Sequence, residues 1–154
     1  APLNAALRAV HQFVTFASAT PFQEAMAIAL EVAAERGYYE QLRDEYARRR
    51  ELLRGALEAA GLPTLPIRGS YFLMADISQC GFPDDASFCR FLTAEVGVAA
   101  VPPSAFYADP RRAPLLARFC FAKREETLLA AAERLKTLRA KLDRLPVGSR
   151  IAGD

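Results

Sequence analysis

The sequence predicts an α/β chain whose second half is a small α+β lobe, with a short sheet packed by helices. Three observations carry this. Helical periodicity fills the first 60 residues, short apolar and aromatic runs bounded by turn residues follow only after Gly69, and a long amphipathic segment comes near the end. The order from Gly69 onward is strand, helix, strand, loop, strand, helix, which describes one α/β lobe. The 154 residues are enough for one sizeable core or two modest ones.

Each element has its own signal. Leu3, Leu7, Val10, Phe13 and Val14 recur at three- and four-residue spacing within Pro2 to Phe16, an amphipathic helix with Pro2 suited to its first position. The stretch "SATPFQEAMAIALEVAAERG" restarts the pattern. Thr20 is placed to cap, Pro21 to open the helix, and Gln23 to complete a capping box. This second helix, to about Gly37, is apolar nearly all round through Phe22, Ala25, Met26, Ala29, Leu30 and Val32, which calls for burial on more than one side. Tyr38 to Ala60 is strongly charged, with Leu42, Tyr46, Leu53 and Leu57 as a narrow stripe, and Gly61 and Pro63 stop it. "GSYFLMADI", Gly69 to Ile77, is the first strand candidate. A helix over Ala86 to Val96 buries Phe88, Phe91 and Leu92 and closes at Gly97. Val98 to Val101 is a brief strand ended by Pro102 and Pro103, Ala117 to Ala122 the last strand, and Glu125 to Leu145 a helix with a leucine stripe.

Composition excludes several classes. The chain is 52% hydrophobic and 25% charged with a net charge of +2, the balance of an ordinary globular protein and too weak a bias for nucleic acid. Cys80, Cys89 and Cys120 are odd in number and not in CxxC spacing, so neither a disulfide framework nor a zinc site is expected. No apolar run approaches the ~20 residues of a membrane span, and no charged-then-apolar leader opens the chain. The expectation is a soluble, cytoplasmic chain with reduced thiols, no metal, and neither a nucleic-acid nor a membrane partner.

Two places carry chemistry. Arg118 opens the apolar run Phe119-Cys120-Phe121-Ala122, where an unpaired guanidinium is costly, so it must reach solvent or an anion. Asp76, in its own apolar run, offers an internal ion pair. A substrate carboxylate offers two parallel hydrogen bonds to the planar fork. On physical grounds alone the ion pair is the commoner outcome. The loop "PPSAFY", Pro102 to Tyr107, follows a strand directly, and Ser104, Phe106 and Tyr107 either line a cleft or cap the core. His11, the only histidine, has no triad context and reads as a packed or partly exposed residue rather than a base. The run Arg48-Arg49-Arg50 reads as a solvated helix face, and there is no P-loop or GxGxxG.

Taken in order, "HQFVTFASATPFQEAMA", "GSYFLMADIS", "GVAAVPPSAFY" and "RFCFAKREETLLAAAERL" resemble the C-terminal part of a fold-type I pyridoxal-phosphate aminotransferase of class I/II, in the kynurenine and methionine aminotransferase branch. The likeness covers residues 1 to about 142. It implies that Arg118, in the context R-F-C-F-x-K, grips the substrate α-carboxylate, which reverses the preference for an ion pair. It implies that Tyr71 and Phe72 shape the pocket, that Ser104 and Phe106 lie at its mouth, and that Phe16 reaches the neighbouring subunit's site. Residues 1–36 would end the large cofactor domain, 37–61 form a connecting helix, 62–146 the small domain and 147–154 a tail.

The family's Schiff base needs a lysine in a serine-lysine context, and Lys123, Lys136 and Lys141 do not stand in one. The resemblance therefore implies a fragment of an enzyme that moves an amino group from an aromatic or sulfur amino acid to a 2-oxo acid. The parent would be a homodimer with pyridoxal 5'-phosphate. The chain alone is expected to be inactive, without a catalytic residue or a certain cofactor contact, and to bind no cofactor. Uncovered helices near its start should make it self-associate or rearrange. The competing reading is a free-standing α/β interaction or regulatory module.

Overall fold

The computed structural model describes residues 2–145, which fall into two compact units divided after Arg43. The expected tail, 147–154, lies outside the described residues.

The first unit holds α1 (Pro2–Val14), α2 (Thr20–Glu35) and the start of α3 (Tyr38–Ala59). Neither α1 nor α2 buries a residue. Helix α1 closes where the Thr15 hydroxyl and backbone N–H both donate to the His11 carbonyl. Thr20 does not cap α2: it is already helical, and Ala19 stands at the cap without a side-chain bond. Phe22 and Gln23 donate their backbone N–H groups to the Ala19 carbonyl, and the Gln23 amide reaches back to the Ser18 carbonyl at 2.8 Å. Pro21 explains the shift, since a missing N–H is tolerated throughout the first turn and the chain enters the helix one residue early. Helix α2 gives way at Arg36, whose N–H bonds to the Val32 carbonyl, and Gly37 turns the chain at a φ of +64°.

The second unit builds the core. From α3 it takes Leu53 and Leu57, buried on a helix whose other faces carry Arg49–Glu45, Arg54–Glu51 and Arg54–Glu58 pairs. Tyr46 packs edge-on against Phe121, which fastens α3 beside the end of the sheet. The sheet has two antiparallel strands, β1 (Phe72–Asp76) and β2 (Leu116–Cys120), in the register Phe72 with Cys120 through Asp76 with Leu116. Both alternate strictly. Leu73, Ala75, Ala117 and Phe119 enter the core, while Phe72, Met74, Arg118 and Cys120 stand on the other, half-open face. Arg118 is therefore not an intruder in an apolar strand but an outward position of a period-two pattern.

The expected strand at Val98 to Val101 reduces to one bridge, with Val101 and Arg118 exchanging both backbone hydrogen bonds at 2.9 and 3.0 Å. Pro102 and Pro103 have no N–H with which to extend that ladder, and the Val98 N–H is already given to the Leu92 carbonyl. Helix α4 (Asp85–Phe91) begins at the Asp84 cap and runs into a wider π turn, Leu92–Val96, that ends at Gly97 with a φ of +76°. The segment from Glu125 breaks into α5 (Glu125–Leu135) and α6 (Leu138–Asp143). Thr137 lies at the break, its hydroxyl and N–H both turned back to the Arg134 carbonyl, a local bond that competes with the helix ladder. Leu128, Leu135, Leu138 and Leu142 still enter one core, so the periodicity survives the kink. The α/β class holds: a helix-rich chain around a short sheet. Among the described residues no helix is long and apolar enough to cross a membrane.

Candidate substrate-binding site

Strand β2 presents Arg118 opposite Met74 on the open face of the sheet. Its guanidinium carbon stands 4.1 Å from the centre of the Phe72 ring and 4.6 Å from that of Phe106. The two contacts come from different elements, β1 and the short 3-10 turn Pro103–Phe106. An aromatic ring is a favourable neighbour for a guanidinium cation, and a phenylalanine ring offers its N–H groups no conventional acceptor. The Arg118 Nε is buried and has no hydrogen-bond partner. A carboxylate has the planar geometry that matches the fork of a guanidinium through two parallel hydrogen bonds.

The alternative partner is otherwise engaged. Asp76 accepts the Ser78 N–H at 2.8 Å, and that backbone bond lowers its pKa. No ion pair joins it to Arg118, and the expectation of an internal salt bridge gives way to a turn residue at the end of β1. The sequence pattern could not show this, because alternation puts Asp76 and Arg118 on one face without saying which backbone amide lies nearer.

The remaining candidates fall in two groups. Phe72, Phe106 and Arg118 come together directly, and the Tyr71 ring packs on Phe72 with centroids 4.2 Å apart while the Tyr71 carbonyl accepts the Phe121 N–H. Ser104 belongs to the same turn as Phe106, and its backbone N–H donates to Asp85 Oδ2 at 2.7 Å. Phe16 lies in the first unit just beyond α1 and is 84% exposed. His11 is exposed, and its backbone carbonyl serves the end of α1.

Asp85 is the residue that sequence reasoning missed. It lies beside the cap of α4, where an aspartate reads as an ordinary first-turn acid, and its partner is 19 residues away. The only available signal was the adjacent pair Asp84-Asp85: one carboxylate is used as the cap, accepting the Ser87 N–H at 2.6 Å, which leaves the second to explain.

Pyridoxal phosphate, the cofactor of the fold family, requires an amine to form its Schiff base. The described lysines do not fit that role. Lys136 is paired with Glu133, Lys141 donates to the Glu95 carbonyl, and Lys123 lines a cavity of about 190 Å³ with Leu53, Val98 and Phe119, a lining that does not include Arg118. The two buried thiols are no substitute: burial pushes Cys80 up to about 11 and Cys89 up to about 12, with Asp76 and Asp85 respectively adding to it.

Comparison with known proteins assigns the chain. The family model "Aminotransferase class I and II" matches residues 1–135. The chain is 49% identical over 138 residues to methionine aminotransferase of Escherichia coli K12, an alignment that takes in 90% of this chain and 35% of the relative. It is 35% identical to kynurenine–oxoglutarate transaminase of Dictyostelium discoideum, over 87% of this chain and 35% of that one. Among solved structures, an Escherichia coli methionine aminotransferase superposes with a TM-score of 0.74 at 48% identity, covering 89% of this chain and 35% of that chain. The N-succinyldiaminopimelate aminotransferase of Mycobacterium tuberculosis gives 0.71 at 39% identity, over the same shares. The chain thus spans about a third of the length of the curated relatives it matches. With a family match over most of its length and relatives well above 30% identity, this chain belongs to the class I and II aminotransferases, in their kynurenine and methionine aminotransferase branch.

Proposed function

We propose that this chain supplies the carboxylate-binding side of a pyridoxal-phosphate-dependent aminotransferase, with Arg118 as the anchor for the α-carboxylate of both the amino acid and the 2-oxo acid. The observation that carries the reading is the Arg118 guanidinium itself, in contact with the Phe72 and Phe106 rings and without an ion pair to Asp76, its Nε buried and unpartnered. Two parallel hydrogen bonds to a carboxylate fix its plane as well as its position, and so orient the Cα attached to it. Phe72 and Phe106 lie against the guanidinium, and apolar neighbours lower the local dielectric and so strengthen charge-assisted bonds. Tyr71 and Ser104 border the same site. Pyridoxal phosphate provides the electron sink in this family, and residues other than the described ones would hold it.

The amino donor is an aromatic or sulfur amino acid, a reading supported by the likeness to a methionine aminotransferase and a kynurenine transaminase. The exposed apolar faces of α1 and α2 fit burial against a larger cofactor domain and a partner subunit, with Phe16 reaching across. Residues 37–61 then serve as the connecting helix and 62–146 as the small domain. The reaction is placed in the cytoplasm, in keeping with three free cysteines.

In an enzyme containing this chain, Arg118→Ala should lower kcat/KM for the amino acid and for the 2-oxo acid alike. Losing one side of a buried, hydrogen-bonded charge pair costs roughly 2–5 kcal/mol, or about 30-fold to several thousand-fold. Unchanged kinetics in both half-reactions would remove the assignment.

A further inference from the structure

Asp85 is 2% exposed and is the one buried charged side chain among the described residues. A carboxylate withdrawn from water is strongly penalised unless it is hydrogen-bonded, so what it bonds to matters. It accepts the backbone N–H of Ser104. Pro102 and Pro103 have no N–H, which makes Ser104 the first amide after Val101 through which this loop can be held. The loop is thereby tied at two points, by Val101 to the Arg118 backbone and by Ser104 to Asp85. Asp85 in turn sits on a fixed element: Asp84 caps α4, and Phe88 of the same helix is fully buried.

Phe106 is two residues beyond Ser104 in the same turn and yet is 66% exposed. Burial does little to hold its ring at the guanidinium, which leaves the backbone of the turn and the cation–π contact itself to do so. We propose that Asp85 is a positioning residue for the substrate site: by holding the Ser104 amide it fixes the Pro103–Phe106 turn, and through it sets the Phe106 ring against the Arg118 guanidinium. This rests on Arg118 being the carboxylate anchor, but the arrangement of Phe106 on Arg118 is measurable without any reaction.

The measurement is the Nε–Hε resonance of Arg118 in the 154-residue chain, assigned by its loss in Arg118→Lys. Ring currents from Phe72 and Phe106 should move it upfield, and Phe106→Ala should return it part of the way. Asp85→Ala should move it in the same direction by at least half as much. Asp85→Asn, which keeps a carbonyl acceptor for the Ser104 N–H, should leave it in place. Leu142→Ala, a core truncation, should lower the melting temperature without moving the signal, which separates positioning from general destabilisation. Should Asp85→Ala not fold, Asp85→Glu is read instead: it keeps the charge but lengthens the arm, and should displace the signal. An unmoved resonance in the folded Ala or Glu variant, or a shift in Asp85→Asn equal to that of Phe106→Ala, overturns the proposal. Because the readout is spectroscopic, failure of the carboxylate assignment would be seen in Arg118 kinetics while leaving this result standing.

Discussion

Arg118 is held by a near balance of opposing effects. A buried polar group without a partner costs about 1–3 kcal/mol, while a cation over an aromatic face gains ~0.5–2 kcal/mol, and here two rings contribute. The side chain is therefore tolerated rather than needed by the fold. Arg118→Met, which keeps the length of the stem and gives up the charge, should leave urea-unfolding stability within about 1 kcal/mol of the original or raise it. A loss of 3 kcal/mol or more would mean that the arginine is structural. Ser70 is a second residue under local tension, with a φ of +68° in the turn before Tyr71. A left-handed conformation is unfavourable for a side chain bearing a Cβ, so Ser70→Gly should be neutral or stabilising by up to about 1 kcal/mol, whereas Ser70→Val should destabilise. That Arg118 belongs to a strand was legible in "ARFCF". Its pairing was not, since whether Asp76 meets Arg118 or the Ser78 amide depends on how the chain leaves β1.

At the scale of elements, local signals were read well where the bond is local. Leu53 and Leu57 of the α3 stripe, Phe88 and Leu92 in and beyond α4, and Leu128, Leu135, Leu138 and Leu142 of α5 and α6 enter the core as spacing required, whereas Leu42 of the α3 stripe stays outside it. The Thr20 cap, the continuous last helix and the Val98 strand failed for one shared reason: a backbone N–H went to a different acceptor from the one the pattern implied. The Asp84 cap of α4 is well defined and gives a pH test. Its carboxylate accepts the Ser87 N–H and hydroxyl, and the backbone bond, the larger effect, lowers its pKa in the folded state. A group with a depressed folded pKa stabilises above its unfolded value, near 3.9, and that contribution fades as pH falls through the lower folded value. Asp84→Ala should therefore cost about 1 kcal/mol at pH 7, with the difference from the unaltered chain shrinking below about pH 4. Asp84→Asn, which caps without titrating, should keep its stability relative to Asp84→Ala at low pH. Equal pH profiles for all three would contradict the cap.

For the molecule as a whole, the contrast between its two units is the main physical fact. Asp44 onward encloses a leucine and phenylalanine core, whereas α1 and α2 leave Leu7, Phe13, Phe22 and Met26 more than half exposed. Apolar patches of that kind mark surfaces that are covered in use. The isolated chain should self-associate with rising concentration in sedimentation experiments, and Leu7→Glu with Phe13→Glu should suppress it. A monomer across the whole concentration range would speak against a covered face. The all-round apolarity of α2 was visible in the sequence, as was its consequence that the chain could not cover it. The Asp85–Ser104 tie was not visible, because nothing local distinguishes a first-turn acid from a buried anchor 19 residues from its partner. The central claim is that Arg118 reads a carboxylate, and it is tested most directly by discrimination rather than by rate. In an enzyme containing this chain, the ratio of kcat/KM for an amino acid to that for the same compound without its carboxylate should fall by ~100-fold in Arg118→Ala, with the amine itself used about as before. A ratio unchanged by the substitution would contradict the account.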